Sequence, residues 1–482
     1  MSKSAESSKI RLPIKLDSTS NGEFVPIPLT AKEHKTNEFA LECAANAARR
    51  TGTSRRRFLK SSCGAAATLL AFNHAHAFAT ESPPGGGFEL ADEAAFDPEV
   101  ASASLDGREF IFDVQGHYLP PGLARSLKPQ CIDDHDLLGR DYMNCLGADT
   151  FIKDVFLDSD TDMMALSFIP STHANEPLSI EEAHATREMV ERLEGDHRLL
   201  LHGRCNPNQP GDLELMQNLA EKWKVSAWKC YTQYGPDGKG FFLSDEDSGI
   251  PYIENARKLG VKNICVHKGI PFGRESYEHS LCDDIGPVAK AYPDINFLVY
   301  HSGFVPGQAE GPYDPNRNEG VDSLIKSVLE HDVAPNSNVY AELGSTWRFL
   351  SMRDPGSAAH ALGKLFKYIG EDNVLWGTDS VWYGSPQDQI QAFRAFQISE
   401  SLREAHNYPE ITPLLRAKVF GLNALEPYSI NMDDVLLRAS TDTVSKAKTA
   451  YLQNPEPHFQ TYGPKTRREF LNLMDITGGK IS

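Results

Sequence analysis

Four polar side chains stand where apolar runs stop. His117 closes EFIFDVQGHY, His267 closes NICVHKG, His301 closes FLVYHSG and Asp379 closes NVLWGTDS. Neutral imidazole and carboxylate together suit Zn²⁺ or another borderline divalent ion. A lone histidine at a strand end is ordinarily structural, but three on separate strands, with an aspartate on a fourth, point to one converging site. Alternate residues of a strand share a face. Gln115 is therefore expected beside His117, with Asp113 one layer lower and Cys265 below His267. Lys229 ends VSAWKCYTQYG and Arg204 ends a third such run. Each is read either as an anchor for a substrate carboxylate or phosphate, or as half of an ion pair at the rim.

The elements that must position these groups read as alternating strands and helices. Strands are predicted at 109–117, 163–169, 198–204, 225–231, 262–267, 295–301, 338–343 and 373–379. Amphipathic stretches lie between them at 179–195, 211–224, 247–260 and 356–370. Eight strands alternating with helices fit a (β/α)8 TIM-type barrel, whose site sits at the carboxyl ends of its strands. An open doubly wound sheet would need a nucleotide loop near its first strand, and no GxGxxG occurs there. Extra helices follow the barrel.

The chain is divided as a polar, disordered stretch 1–53, a signal 54–79, a linker 80–107, a barrel 108–428 and a helical tail 429–482. The signal reading rests on SRRRFLK (54–60), a short apolar run and the ending Ala75-His76-Ala77. Twin arginines, apolar run and small-residue site occur in the order of a twin-arginine export peptide. That predicts a partner in the export machinery and a periplasmic or secreted location. The 482 residues are 40% hydrophobic and 24% charged, an ordinary globular balance. A net charge of -18 argues against a nucleic-acid partner, and no run is long enough for a membrane span. The eight cysteines show no zinc-site spacing, and Cys265 is the sole candidate thiol nucleophile. Oligomeric state is left open.

The ordered set xxH, His, HxG and TDS resembles the amidohydrolase superfamily, in particular the amidohydrolase-related group with the aminocarboxymuconate-semialdehyde and resorcylate decarboxylases. The resemblance runs from about Phe110 to Leu425 and includes Phe168-Ile169-Pro170, Gly203-Arg204-Cys205-Asn206-Pro207 and KVFGLNAL (418–425). It implies one divalent metal ion, expected to be Zn²⁺, ligated by His117, His267 and Asp379, with His301 as an outer or catalytic histidine. It also implies metal-assisted hydrolysis of a small carboxylate-bearing substrate, with Asp379 moving the proton and His301 stabilising the oxyanion. Non-oxidative decarboxylation and a non-catalytic binding protein are the alternatives. One departure stands out. The family commonly has HxH or ExH on the first strand, and this chain has Gln115-Gly116-His117, whose amide oxygen is the weaker ligand.

Overall fold

The computed structural model describes residues 11–77, 85–117, 151–171, 176, 178–194, 198–271, 276–439 and 441–477. Eight parallel strands lie side by side in chain order: β1 Phe112–Gly116, β2 Met163–Leu166, β3 Leu199–Arg204, β4 Ala227–Tyr231, β5 Asn263–His267, β6 Asn296–Tyr300, β7 Val339–Glu342 and β8 Val374–Leu375. The segment after β8 closes the ring on β1. Val114 N donates to Trp376 O at 3.0 Å, Asp379 N to Gln115 O at 3.0 Å and Val381 N to His117 O at 2.8 Å. This is the expected (β/α)8 barrel.

The strands read as continuous apolar runs because both faces are covered. Leu298 and Tyr300 join Cys265, Ala227, Val114, Tyr340 and Leu375 in the barrel interior. Phe297, Val299, Ile264 and Val266 face the surrounding helices instead. Helices Ile180–Glu194, Asp212–Glu221, Gly249–Leu259 and Pro355–Tyr368 fall within two or three residues of the predicted stretches. Tail helices Met432–Ala439, Thr443–Tyr451 and Arg467–Thr477 wrap the barrel. The last of these buries Phe470, Leu473 and Met474.

The residues before the barrel differ most from expectation. Helices Ala31–Arg50 and Ser62–Ala77 pack on each other and on the barrel, with Ala40, Ala44, Leu69 and Phe72 buried in the main core. A short strand Gly86–Phe88 pairs antiparallel with Phe396–Ile398. Leu12, Ile14, Leu16 and Phe24 are also core residues, so the stretches read as disordered and as linker are integrated with the fold. The reason is physical: a short Ala-rich run that is apolar on all sides serves as well for a fully buried helix as for an export peptide.

Candidate metal centre

His267 obeys strand parity, since Cys265 two residues earlier lies in the interior. His301 does not. It shares parity with the outward-facing Phe297 and Val299, but β6 ends at Tyr300, and His301 and Ser302 take left-handed backbone at φ 64° and 52°. That turn brings the imidazole back over the barrel mouth. Ile270, Ser345 and Asp379 are also left-handed, at φ 37°, 57° and 58°. Such backbone costs roughly 1–3 kcal/mol per non-glycine residue and concentrates where surrounding contacts hold a functional geometry.

β1 departs from its expected parity. Phe112 and Val114 fill the interior. Asp113 is therefore on the other face, accepting from Thr378 N at 3.1 Å, and is not a lower layer of the site. The pairing of β1 with β2 slips between Asp113 and Gly116, and that irregularity re-aims Gln115 and His117.

The ring nitrogens have defined roles. A carbonyl oxygen can only accept, so each nitrogen facing one carries the proton. His117 Nδ1 donates to Ser167 O at 2.9 Å, His301 Nδ1 to Gly344 O at 2.7 Å and His267 Nε2 to Ile270 O at 3.4 Å. The opposite nitrogens of the neutral rings are lone pairs, and each faces a carboxylate. His117 Nε2 lies 3.3 Å from Asp379 Oδ1, His301 Nε2 3.2 Å from Glu23 Oε2 and His267 Nδ1 3.4 Å from Glu23 Oε1. His301 Nδ1 also lies 3.7 Å from Asp379 Oδ2. All five side chains are buried.

Glu23 and its neighbour Asn21 were invisible to sequence reasoning. Asn21-Gly22 marks a turn, but nothing in STSNGEF marks a carboxylate directed at a barrel more than 90 residues downstream. Asn21 Nδ2 donates to Glu23 Oε2 at 2.5 Å and to Asp379 Oδ2 at 3.0 Å, clamping the two carboxylates together. Ser345 Oγ adds a hydrogen bond to Asp379 Oδ2 at 2.5 Å and meets Tyr383 OH at 2.6 Å.

The electrostatics call for a cation. Two unit charges 4 Å apart repel by about 4 kcal/mol at an effective dielectric constant near 20. The amide hydrogen bonds return only about 1.5–3 kcal/mol each. In the metal-free chain a proton on His301 does part of this work. Burial pulls His301 down, but Asp379 and Glu23 outweigh it and push the ring up to about 9. His267 is brought down to about 4, burial being the larger effect with Glu23 opposing. For Glu23 and Asp379 burial raises the pKa, yet the facing histidines hold both below the usual carboxylate range. Glu23, His267 and His301 bring ligand atoms within 4.8 Å of one another, and His117 Nε2 faces Asp379 Oδ1 beside them, with the far side of each ring fixed by a backbone carbonyl; imidazole and carboxylate are donor types that suit a borderline divalent ion.

The remaining expected site residues divide. Gln115 is fully buried, and neither amide atom has a hydrogen-bond partner among the described residues. Its Oε1 is so close to Gly344 that a Cβ there would lie 2.2 Å away. Lys229 is fully buried too, with Nζ 3.8 Å above the Tyr300 ring, 4.7 Å from that of Tyr231 and without a hydrogen-bond partner among the described residues. Burial pulls its ammonium pKa down. Arg204 takes the ion-pair role of its two readings, 2.9 Å from Glu176 and 3.1 Å from Asp212. Cys265 is buried with its thiol pushed up to about 11 by burial, which removes it as a nucleophile. Glu342, the last residue of β7, is held close by, pushed up to about 7 by burial against the opposing pull of His301, and accepts from His301 N at 3.0 Å and Gly344 N at 2.5 Å.

The amidohydrolase family model matches residues 229–430, a span that holds Lys229, His267, His301 and Asp379. No curated protein matches the chain. Among solved structures, a 2,6-dihydroxybenzoate decarboxylase complexed with 2,6-dihydroxybenzoate is 13% identical at a TM-score of 0.42, covering 67% of this chain and 100% of its own. A 5-carboxyvanillate decarboxylase from Sphingomonas paucimobilis is 12% identical at 0.41, over 67% and 100%. An amidohydrolase from Burkholderia multivorans with bound zinc is 14% identical at 0.40, again over 67% and 100%.

Proposed function

We propose that this chain is a metal-dependent enzyme of the amidohydrolase type that hydrolyses a C–N, ester or lactone bond of a small carboxylate-bearing molecule. The observation that carries the reading is the set of histidines at three strand ends, each pinned by a backbone carbonyl and turned toward a buried carboxylate. A divalent ion, proposed to be Zn²⁺, would be held by His117, His267 and Asp379 and would supply an activated water and a polarised carbonyl. Asp379 is the base: Asn21 and Ser345 occupy Oδ2, which leaves Oδ1 to take a proton and return it to the leaving group. His301, with Nδ1 fixed on Gly344 O and Nε2 turned into the site, is the proposed donor to the developing oxyanion. Lys229 is the proposed anchor for the substrate carboxylate, since its ammonium is buried in the barrel beside two aromatic rings.

The placing of His301 Nδ1 3.7 Å from Asp379 Oδ2 at one site also supports a second reading, decarboxylation, in which His301 or Asp379 delivers a proton to carbon. Zinc-loaded protein incubated with lactones, amides and phenolic acids separates the two. Hydrolysis gives acid without gas, decarboxylation gives carbon dioxide, and no turnover of any class would leave a binding protein. Export through the twin-arginine route to the periplasm or beyond is proposed separately, on the exposed Arg55 and Arg56 at the start of a helix. Appearance outside the cytoplasm that survives a double change of these arginines to lysine would refute it.

A further inference from the structure

The metal reading leaves a shortage on β1, where the neutral Gln115 stands two residues before His117. We infer that Glu23, from the segment ahead of the barrel, is the carboxylate that completes the cation site, so that residues 11–27 are part of the metal centre. This inference rests on the metal reading proposed above.

Three observations carry it. The first is the face-to-face placing of acceptors. His267 Nε2 donates to Ile270 O, so Nδ1 of the neutral ring has a lone pair, and it faces Glu23 Oε1 at 3.4 Å. A divalent ion seated there would be ligated by both groups, and the other oxygen of Glu23 lies 3.2 Å from His301 Nε2. Glu23, His267 and His301 each bring a ligand atom within 4.8 Å of the others. The second is the rigidity of the carboxylate. Glu23 N donates to Asn21 Oδ1 at 3.0 Å, Gly22 N to Ser20 Oγ at 3.0 Å and Ser20 Oγ to Phe24 O at 2.5 Å. Gly22 is left-handed at φ 82°, and a Cβ there would lie 2.7 Å from Leu473. The positive φ of the turn that presents Glu23 favours glycine, and any Cβ there would press on the end of the Leu473 side chain.

The third is the anchoring of the whole segment. Lys15 pairs with Asp388 at 3.1 Å, and Asp17 with Arg348 at 2.8 Å. Thr19 hydrogen-bonds Thr461 at 2.7 Å, and Ser20 N donates to Pro464 O at 2.8 Å. Arg353 donates to Asp17 O at 3.0 Å and Ile27 O at 3.1 Å. A removable plug standing in for substrate would be held chiefly at its carboxylate. This segment is fastened on both sides of it, in the manner of an outer shell that fixes a ligand.

The test uses the full chain, zinc and cobalt(II), with Glu23→Gln as a near-isosteric variant. Wild type should bind zinc tightly, and Glu23→Gln should weaken it at least about tenfold, the low end for loss of a supporting group at a metal site. The visible spectrum of the cobalt form should change, and zinc should protect residues 11–27 from hydrogen exchange in wild type only. Arg348→Met, which loosens the segment without touching a ligand atom, should weaken zinc in the same direction. If wild type binds no metal, the metal reading fails and the inference with it. If wild type binds and Glu23→Gln binds equally with an unchanged cobalt spectrum, Glu23 is no ligand while the metal reading stands. Equal affinity with faster turnover would identify the segment as a plug and likewise overturn the inference.

Discussion

Asp379→Asn separates the folding role of this site from its chemical one, because the structure offers the amide a complete set of partners. Asp379 Oδ2 accepts from Asn21 Nδ2 at 3.0 Å and Ser345 Oγ at 2.5 Å, and Oδ1 lies 3.3 Å from the lone pair of His117 Nε2. An asparagine oriented with its oxygen toward Asn21 and Ser345 keeps both bonds. Its Nδ2 then donates to His117 Nε2, an acceptor because His117 Nδ1 donates to Ser167 O. Each retained bond is worth about 0.5–1.5 kcal/mol once neutral, and a buried carboxylate facing another is removed. The metal-free variant should therefore match wild type within about 1 kcal/mol, a shift in Tm of no more than about 2–4 °C. Metal affinity should behave oppositely. Loss of an outer-shell partner costs about 10–100-fold, and loss of a charged ligand should cost at least the upper end of that. Thermal melts in chelator and competitive zinc titration measure the two effects, with turnover of the substrate found by screening as the third. A variant with zinc affinity within a few-fold of wild type, or with melting lowered by ten degrees or more, would refute the assignment of Asp379 as ligand and base.

Gln115→Met should stabilise the metal-free protein by about 1–3 kcal/mol in urea titration, because it removes a buried amide lacking partners at little change in volume; it should weaken zinc far less than Asp379→Asn. Burial raises the pKa of Asp17, but the Arg348 guanidinium, Lys465 and the Thr19 amide together more than offset it and hold the carboxyl well below its usual value. The stability this pair contributes is complete above the unfolded pKa near 4 and is lost as pH falls through the lower folded value, so hydrogen exchange of residues 11–27 should quicken in acid with a step that is absent from Asp17→Asn. Mass spectrometry of the native protein should find residues 1–77 still present, since Leu69 and Phe72 lie in the main core and Glu23 in the site.

The barrel was legible because parallel strands covered on both faces leave continuous apolar runs, and Ile264, Val266, Phe297 and Val299 are all fully buried. The strand-end rule then located His117, His267, His301 and Asp379 without any contact being known. Parity within strands was less secure. With Phe112 and Val114 inside, Asp113 falls on the outer face and a register slip after it re-aims Gln115 and His117, while left-handed backbone at His301 reverses a side chain that simple alternation would have sent outward. Neither event has a signature in residue type alone. Glu23, Asn21 and Ser345 were missed for a different reason. Thr19, Ser20, Asn21 and Glu23 are buried yet polar, satisfied by one another and by the barrel rim, so hydropathy reports them as solvated loop.

The same polar segment explains why the termini are joined to the chemistry. Asp379 stands in the stretch that closes β8 onto β1, where Trp382 O accepts from Tyr462 N and Gly463 N at 2.8 Å each. Leu473 of the last helix lies against Gly22, and Thr461 holds Thr19. The loop that carries one carboxylate and the turn that carries the other are thus braced by the same tail. Strain at Asp379 and Ser345 is affordable only while that bracing persists, because left-handed backbone relaxes when its surroundings yield. A barrel without these additions would keep the histidines, whose carbonyl partners Ser167, Ile270 and Gly344 all belong to strand-end loops. It would lose Glu23 outright, and with Asn21 gone the hydrogen bond from Ser345 would be the one left on Asp379 Oδ2 among the described residues. The charge that balances a divalent ion therefore depends on parts of the chain outside the barrel, whereas the geometry of the imidazoles is the barrel's own.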